Sequence, residues 1–312
     1  MIREDAESTK IRIVMDGSAR DRNGAPSLNE CLETGPPLQK KIWDILIRNR
    51  LKPVALTGDI QKAFLQIHVQ EKDRDALRFH WIKDIKSREV QVLRFTRVLF
   101  GLVQSPFILG ATIQQHLENV KDKYPEIVRV LSDEMYVDDV ISGGRDQADA
   151  LKVKQEAKAC LGDGGFTLHK WHSNEKSLDG ESMQEGDLSY AKQELGVNQD
   201  KTAILGVKWN KSDDQFKICF PEKDTEVTKR GIVQYLASVY DPLGISSPVV
   251  LQGKLIFRDA CELKTSWDAP LTPEIVTRWR KWKREVMSQE IAIPRSLPNF
   301  REPIQSITLH GF

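Results

Sequence analysis

The sequence predicts an α+β fold, and three observations carry that prediction. Short apolar runs occur in neighbouring pairs, as hairpins require; Leu77–Ile82 and Val90–Phe95 flank the polar stretch 83–89. Other segments repeat their apolar residues every three to four positions, the pattern of amphipathic helices. From Thr228 onward the helical pattern dominates, after a middle region rich in strand-like runs.

Composition sets the limits. The chain has 312 residues, enough for two or three lobes with a sizeable core. Hydrophobic residues at 40% and charged residues at 29% fit a soluble globular protein. The formal net charge is only +1, so any footprint for a polyanion must be local. Cys31, Cys160, Cys219 and Cys261 share no Cys-x-x-Cys spacing and read as free thiols in a reducing compartment. No apolar run is long enough to span a membrane, and Met1–Ala6 lacks the apolar core of a signal peptide.

In chain order, Lys10–Asp16 alternates basic and apolar residues like a half-buried strand, with Lys10 and Arg12 on one face. Those cations either guard an edge strand or reach a phosphate. Asn23-Gly24 and Pro26 mark a loop over 21–35. Leu38, Ile42, Ile45 and Leu46 predict a helix over 38–50; Lys40, Lys41, Arg48 and Arg50 form a solvated face or a basic surface for a polyanion. Val54–Ile60 reads as a buried strand delivering Asp59 at its end. Phe100-Gly101 opens a loop, and Ser105-Pro106 starts a helix that continues to Val120.

Met135–Ile141 carries Asp138 and Asp139 between apolar, β-prone neighbours. Gln147–Leu161 predicts a helix with Ala148, Leu151, Ala157 and Cys160 on its apolar side, and Phe166–Trp171 a strand. The polar stretch 173–199 reads as a surface excursion. Thr202–Trp209 predicts a strand and Phe216–Phe220 its return. Ile232, Tyr235, Leu236 and Val239 predict one helix, Pro248–Leu263 a second, and Thr272-Pro273-Glu274 the start of a third. In the third, Trp279 and Trp282 sit among Arg278, Arg280, Lys281, Lys283 and Arg284: a stacking platform for nucleic acid, or packed core beside solvated cations. Ile304–His310 begins a strand.

The chemistry gathers at three carboxylates. Period 2 sends Asp138 and Asp139 to opposite faces of a straight strand, whereas a tight turn brings both to a hairpin tip. Adjacent carboxylates repel, and a divalent cation is their natural neutraliser; Mg²⁺ is usually held by one or two carboxylates plus substrate phosphates. A solvated surface turn is the plain alternative. Asp59 can join the pair only if its strand neighbours the hairpin. Three carboxylates around two metals about 3.5–4 Å apart form the clamp of in-line phosphoryl transfer.

Tyr136-Val137-Asp138-Asp139 resembles the (Tyr/Phe)-x-Asp-Asp box of reverse transcriptases. Asp59–Phe64 resembles their first carboxylate motif, and Phe100–Phe107 their Phe-Gly-Leu-x-x-Ser-Pro element, in the same order. Gly165–Asn174 and Tyr240–Ile245 resemble one branch, the BEL/Pao retrotransposons. The resemblance covers nearly the whole chain. It implies a right hand: fingers, an antiparallel palm sheet with helices, and a helical thumb. Fingers and palm would occupy 1–220, thumb-like helices 221–265, and the start of a connection region toward an absent RNase H domain 266–312. Relatives carry a strand pair before the Lys10/Arg12 strand, so the fingers edge is expected to be truncated.

Residue by residue, the resemblance makes Asp59, Asp138 and Asp139 the catalytic carboxylates and ligands of two Mg²⁺ ions, with Mn²⁺ able to substitute. It assigns Lys10 and Arg12 to the triphosphate, and Lys62 and Ala63 to a turn that cradles phosphate. Phe64 would lie under the sugar and exclude a 2′-OH, unless it is ordinary core. Phe100 and Gly101 would underlie the templating base pair. Lys170 matches a lysine that protonates pyrophosphate, unless it is only a surface lysine. Leu205, Gly206 and Trp209 would form the primer grip. Leu99 stands where the family usually has Pro, and His169 where Arg is common; neither His169 nor His172 receives a catalytic role.

The expected function is RNA-directed DNA polymerisation, from dNTPs to a primer 3′-OH on an RNA or DNA template. The expected setting is a retrotransposon polyprotein with protease, RNase H and integrase, in cytoplasmic virus-like particles, the nucleus left open. A catalytically inactive nucleic-acid-binding remnant and a structural subunit are the alternatives.

Overall fold

The computed structural model describes residues 15–84, 86–178, 201–287 and 289–297. The expectations for Lys10, Arg12, the strand at 304–310 and most of the 173–199 excursion lie outside the described residues. The secondary structure mixes helices with antiparallel pairs, as the α+β expectation has it. Among the described residues, no helix is long and apolar enough to cross a membrane. The four cysteines are free thiols.

One sheet carries the carboxylates. Strands β1 (Val54–Ile60), β4 (Met135–Tyr136), β5 (Asp139–Gly144) and β6 (Leu168–Ser173) lie in the order β4-β5-β1-β6. The Asp59 strand is therefore the direct neighbour of the paired-Asp hairpin. Val54, Ala55, Leu56 and Ile60 of β1 are buried, as the apolar run predicts.

The chain divides into two compact units, and the division passes through β1, β5 and β6. Among the described residues, the first holds 15–40, 58–140 and 152–170; the second holds 41–57, 141–151 and everything from 171 on.

In the first unit, α2 (Ala63–Gln66) follows β1, and β2 (Arg78–Asp84) pairs antiparallel with β3 (Glu89–Arg94), matching Phe79 to Leu93 and Trp81 to Gln91. Helix α3 (Ser105–Val120) buries Leu109, Ile113 and Leu117 at helical spacing. It packs on α4 (Pro125–Glu134), which buries Ile127 and Leu131. The sequence reading placed no element at α4. Its signal was Pro125 in the first turn followed by Glu126, both favoured at helix starts.

Helix α5 (Gln147–Asp163) forms where expected, but on a different face. Ala150, Lys154, Ala157, Cys160 and Leu161 point inward, while Ala148 and Leu151 are exposed. A lysine on the inner face disguised the true stripe. Strand β6 also begins two residues later than predicted.

In the second unit, α1 (Ile42–Arg50) starts at Ile42 rather than Leu38. Leu38 belongs to the first unit, where it lies against Gly110 of α3, so a tertiary contact takes it out of the helical stripe. Strands β7 (Lys201–Ile204), β8 (Val207–Asn210), β9 (Gln215–Cys219) and β10 (Glu290–Pro294) form an antiparallel meander. The single strand expected over 202–209 is instead the β7–β8 hairpin. Leu205 (φ +47°) and Gly206 (φ +84°) make its two-residue turn. Two positive φ values in succession match the strand twist of a tight hairpin. Strand β10 went unread, although Ile291 and Ile293 alternate around Ala292.

Helices α6 (Lys229–Ala237), α7 (Ser247–Glu262) and α8 (Pro273–Met287) close the second unit. The Thr228 hydroxyl accepts from the Gly231 N–H at 3.1 Å and caps α6. Ile232, Tyr235, Leu236, Val250, Ile256 and Trp279 are among the residues of one shared core. Trp279 and Trp282 pack at 5.6 and 6.1 Å from the Tyr235 ring, which decides their role for packing. Each such buried side chain contributes about 1.5–3 kcal/mol. Helix α8, expected to open a separate connection region, shares the core of α6 and α7.

A buried ion pair anchors this unit. The Arg295 guanidinium, fully buried, donates to both Asp214 oxygens at 2.7 Å. It also donates to the carbonyls of Asn49, Lys52 and Pro53 at 2.7–2.9 Å. Asp214 accepts further from Trp209 Nε1 at 2.9 Å and Asn174 Nδ2 at 3.2 Å. Removing one partner of such a pair strands the other. Arg295→Met is expected to cost about 3–5 kcal/mol in urea unfolding; a loss below about 1 kcal/mol would show that the unit does not depend on this pair.

Candidate active site

The site begins where β1 ends. Lys62 adopts φ +50° just past the strand, breaking it before α2. Opposite, Met135 pairs with Val140 and Tyr136 with Asp139, which leaves Val137 and Asp138 as a two-residue loop. Val137 has φ +56°, a strained conformation for a β-branched residue, costing about 1–3 kcal/mol. That turn puts Asp138 at the tip and Asp139 at the first position of β5. The Ile60 N–H donates to the Asp138 carbonyl at 2.9 Å, tying the tip to β1.

One carboxylate oxygen from each of Asp59, Asp138 and Asp139 lies within 4.8 Å of the others. Among the described residues, no other three side chains of metal-binding type converge in this way. Burial pushes the Asp138 carboxyl above its ordinary range, with the Asp59 charge adding to the effect. Burial, then the charges of Asp138 and Asp59, push Asp139 up to about 7, against a smaller pull from Lys170. Three hard oxygens, one of them kept protonated by burial and by its neighbours' charges, form a donor set suited to Mg²⁺ or Mn²⁺. The trio could therefore hold a divalent metal.

Strand β6 supplies the other wall. The Gln61 N–H donates to the Thr167 carbonyl at 2.8 Å, just before β6. Lys170 Nζ lies 3.9 Å from Asp59 Oδ2, and His169 Nε2 lies 3.1 Å from the same oxygen. His169 is the neighbour that sequence reasoning missed. Its signal was its place beside Lys170, obscured because strand alternation sends neighbours to opposite faces.

Phe64 is 8% exposed, and its ring meets the exposed Phe100 ring edge-on at 4.7 Å. Gly101 has φ +88°, and an added Cβ would come within 2.7 Å of the Met15 carbonyl, so only glycine fits there. Asn29 pins this loop: its Nδ2 donates to the Gly101 carbonyl and its Oδ1 accepts from the Val103 N–H, both at 3.1 Å. Asn29 also escaped the sequence reading, since an isolated loop asparagine has no periodic signature. The Ser105 hydroxyl donates to the Leu99 carbonyl at 2.6 Å, completing the turn into α3 without the usual proline.

Leu205, Gly206 and Trp209 belong to the second unit. Leu205 and Gly206 form the β7–β8 turn, and the Tyr240 hydroxyl donates to the Leu205 carbonyl at 2.6 Å. Trp209 is only 1% exposed and bonds Asp214, so the expected contact with a primer is corrected: this residue supports the hairpin from inside. Ala63 is buried at the start of α2. Lys10 and Arg12 lie outside the described residues.

Comparison with known families agrees with this geometry. The family described as reverse transcriptase (RNA-dependent DNA polymerase) matches residues 7–209, well over half of the chain. The family described as Pao retrotransposon-like RNaseH-like domain matches residues 228–312. No curated protein matches the chain. The chain belongs to the reverse transcriptase family, as an RNA-directed DNA polymerase of a BEL/Pao-type retrotransposon.

Proposed function

We propose that Asp59, Asp138 and Asp139 are the carboxylates through which this polymerase joins a deoxynucleotide to a primer 3′-OH. The observation that carries the reading is their convergence within 4.8 Å from two neighbouring strands. Bound there, two Mg²⁺ ions, or Mn²⁺ in their place, would acidify the attacking hydroxyl and neutralise the leaving pyrophosphate. Asp59 and Asp138 would hold the ions, and Asp139 would tune their charge. Lys170, 3.9 Å from Asp59, hands a proton to the departing pyrophosphate. Lys62 and Ala63 cradle phosphate at the turn after β1, and Lys10 and Arg12 serve the triphosphate from the fingers.

Phe64 acts as the steric gate, its ring braced by Phe100. Gly101 lets the loop pass close beneath the templating pair. Leu205 and Gly206 grip the primer at the β7–β8 turn. Fingers and palm occupy 1–220, and the thumb-like helices, expected over 221–265 with a connection region over 266–312, take in α8 as well, because it shares their core. Template, primer and dNTPs are the ligands. Protease and integrase of one polyprotein are the companions, in cytoplasmic particles; the expectation of an absent RNase H domain is corrected, since residues 228–312 match a Pao retrotransposon-like RNaseH-like domain. The three preserved carboxylates argue against a purely structural or inactive remnant.

Three outcomes follow. Asp138→Asn keeps shape and removes charge, so primer extension should fall by about 10²–10³-fold or more with the melting curve nearly unchanged; activity within a few-fold of the parent would remove Asp138 from the site. Phe64→Ala should admit ribonucleotides, read as the ratio of incorporation efficiencies for a dNTP and its rNTP. An unchanged ratio returns Phe64 to the core.

The third outcome concerns pH. The fold favours the protonated form of Asp139, so its contribution to metal-free stability is complete below the ordinary carboxylate range. That contribution declines as pH rises and is gone once pH passes about 7. A metal must displace that proton, so its affinity should drop by up to about tenfold per pH unit below that point. Melting temperatures with and without Mg²⁺ should therefore diverge at pH ~8 and nearly coincide at pH ~5.5. Equal increments at both would refute the coupling.

A further inference from the structure

We infer that His169, directly across from Asp59 in the neighbouring strand, is a positioning residue for that carboxylate. The inference rests on the reading of Asp59 as a metal-binding carboxylate. His169 Nε2 lies 3.1 Å from Asp59 Oδ2. An ionised carboxylate only accepts hydrogen bonds, so Nε2 carries the proton and donates. Lys170 approaches the same oxygen at 3.9 Å. Both contacts fall on Oδ2, and among the described residues no side chain bonds Oδ1. Two nitrogen donors thus meet Asp59 at a single oxygen.

The backbone explains how two consecutive residues reach one carboxylate. In a regular strand, 169 and 170 would face opposite sides. Lys170 instead adopts φ +51°. The buried positions of β6 then run Leu168, Trp171, Ser173, so the inward register slips by one at Lys170. An irregularity of this kind re-aims side chains, and it is commonest beside active sites. A lysine in the left-handed region is strained, and such strain persists where surrounding structure enforces it. The His169 and Asp59 side chains are 28% and 32% exposed, so water screens the contact only in part. Carboxylates that ligate metals are commonly oriented by such second hydrogen bonds, and losing one costs about 10–100-fold in affinity or activity.

The test uses the full chain with His169→Leu and His169→Gln. Glutamine keeps an N–H donor at similar reach; leucine does not. Mn²⁺ binding is followed by electron paramagnetic resonance on the protein alone, and the Mg²⁺ dependence of primer extension is measured in parallel. His169→Leu should weaken Mn²⁺ binding about 10–100-fold and move the Mg²⁺ requirement upward, with extension largely recovered at saturating Mg²⁺. His169→Gln should restore binding to within about threefold of the parent. Parent-like binding in His169→Leu, or equal losses in both variants, would overturn the inference. Asp138→Asn is run alongside. If it retains both binding and extension, the carboxylate site itself is misread. If it loses both while His169→Leu behaves like the parent, only the positioning role falls.

Discussion

Mutual repulsion among three carboxylates is the constraint on which the rest of the site depends. Asp59, Asp138 and Asp139 are held within 4.8 Å, and burial together with the neighbouring charges pushes the Asp139 carboxyl up to about 7. No local preference would assemble them, so the fold supplies the force. The apolar run of β1 is buried and fixes Asp59 beside the hairpin. A two-residue turn forces Val137 into a left-handed conformation to keep both aspartates at the tip. Strand β6 breaks its alternation at Lys170 to bring nitrogen donors to Asp59. Each device carries a local cost that neighbouring packing outweighs.

The second unit applies the same principle to a different task. The Asp214–Arg295 pair gathers the start of β1, the β8–β9 turn and the end of β10 around one buried charge pair. Trp209 contributes its indole N–H to that network rather than to a ligand. The Tyr240 hydroxyl holds the carbonyl of the strained Leu205. Tyr240 begins the Tyr-Asp-Pro-Leu-Gly-Ile stretch, whose Asp241 accepts from the Ile245 and Ser246 N–H groups and caps the entry to α7. A sequence feature that marks the BEL/Pao branch is therefore also the clasp between a hairpin turn and a helix start.

The electrostatics link the metal-free and metal-bound conditions of the enzyme. A site that keeps a proton when empty binds cations less well as pH falls, because the ion must release that proton. A bound cation would offset the burial and the neighbouring charges that raise Asp139, so stability and metal affinity would be linked.

What the sequence determined by itself was the chemistry and its order along the chain. The carboxylates, the Phe-Gly-Leu loop, the Ser-Pro helix start and most helices were legible, because periodicity, caps and turn residues are local. What it could not determine were facts set by contacts distant in the chain. Helix α1 begins late because Leu38 packs on α3. The inner face of α5 carries a lysine that disguises it, and Thr202–Trp209 folds into a hairpin rather than one strand. Trp209 turned out to be buried, and His169 turned out to face Asp59 across 110 residues of sequence. Strand alternation argued against that last placement. The Gln61–Thr167 hydrogen bond sets His169 across from Asp59 in neighbouring strands, and the left-handed backbone at Lys170 lets the next residue reach the same carboxylate.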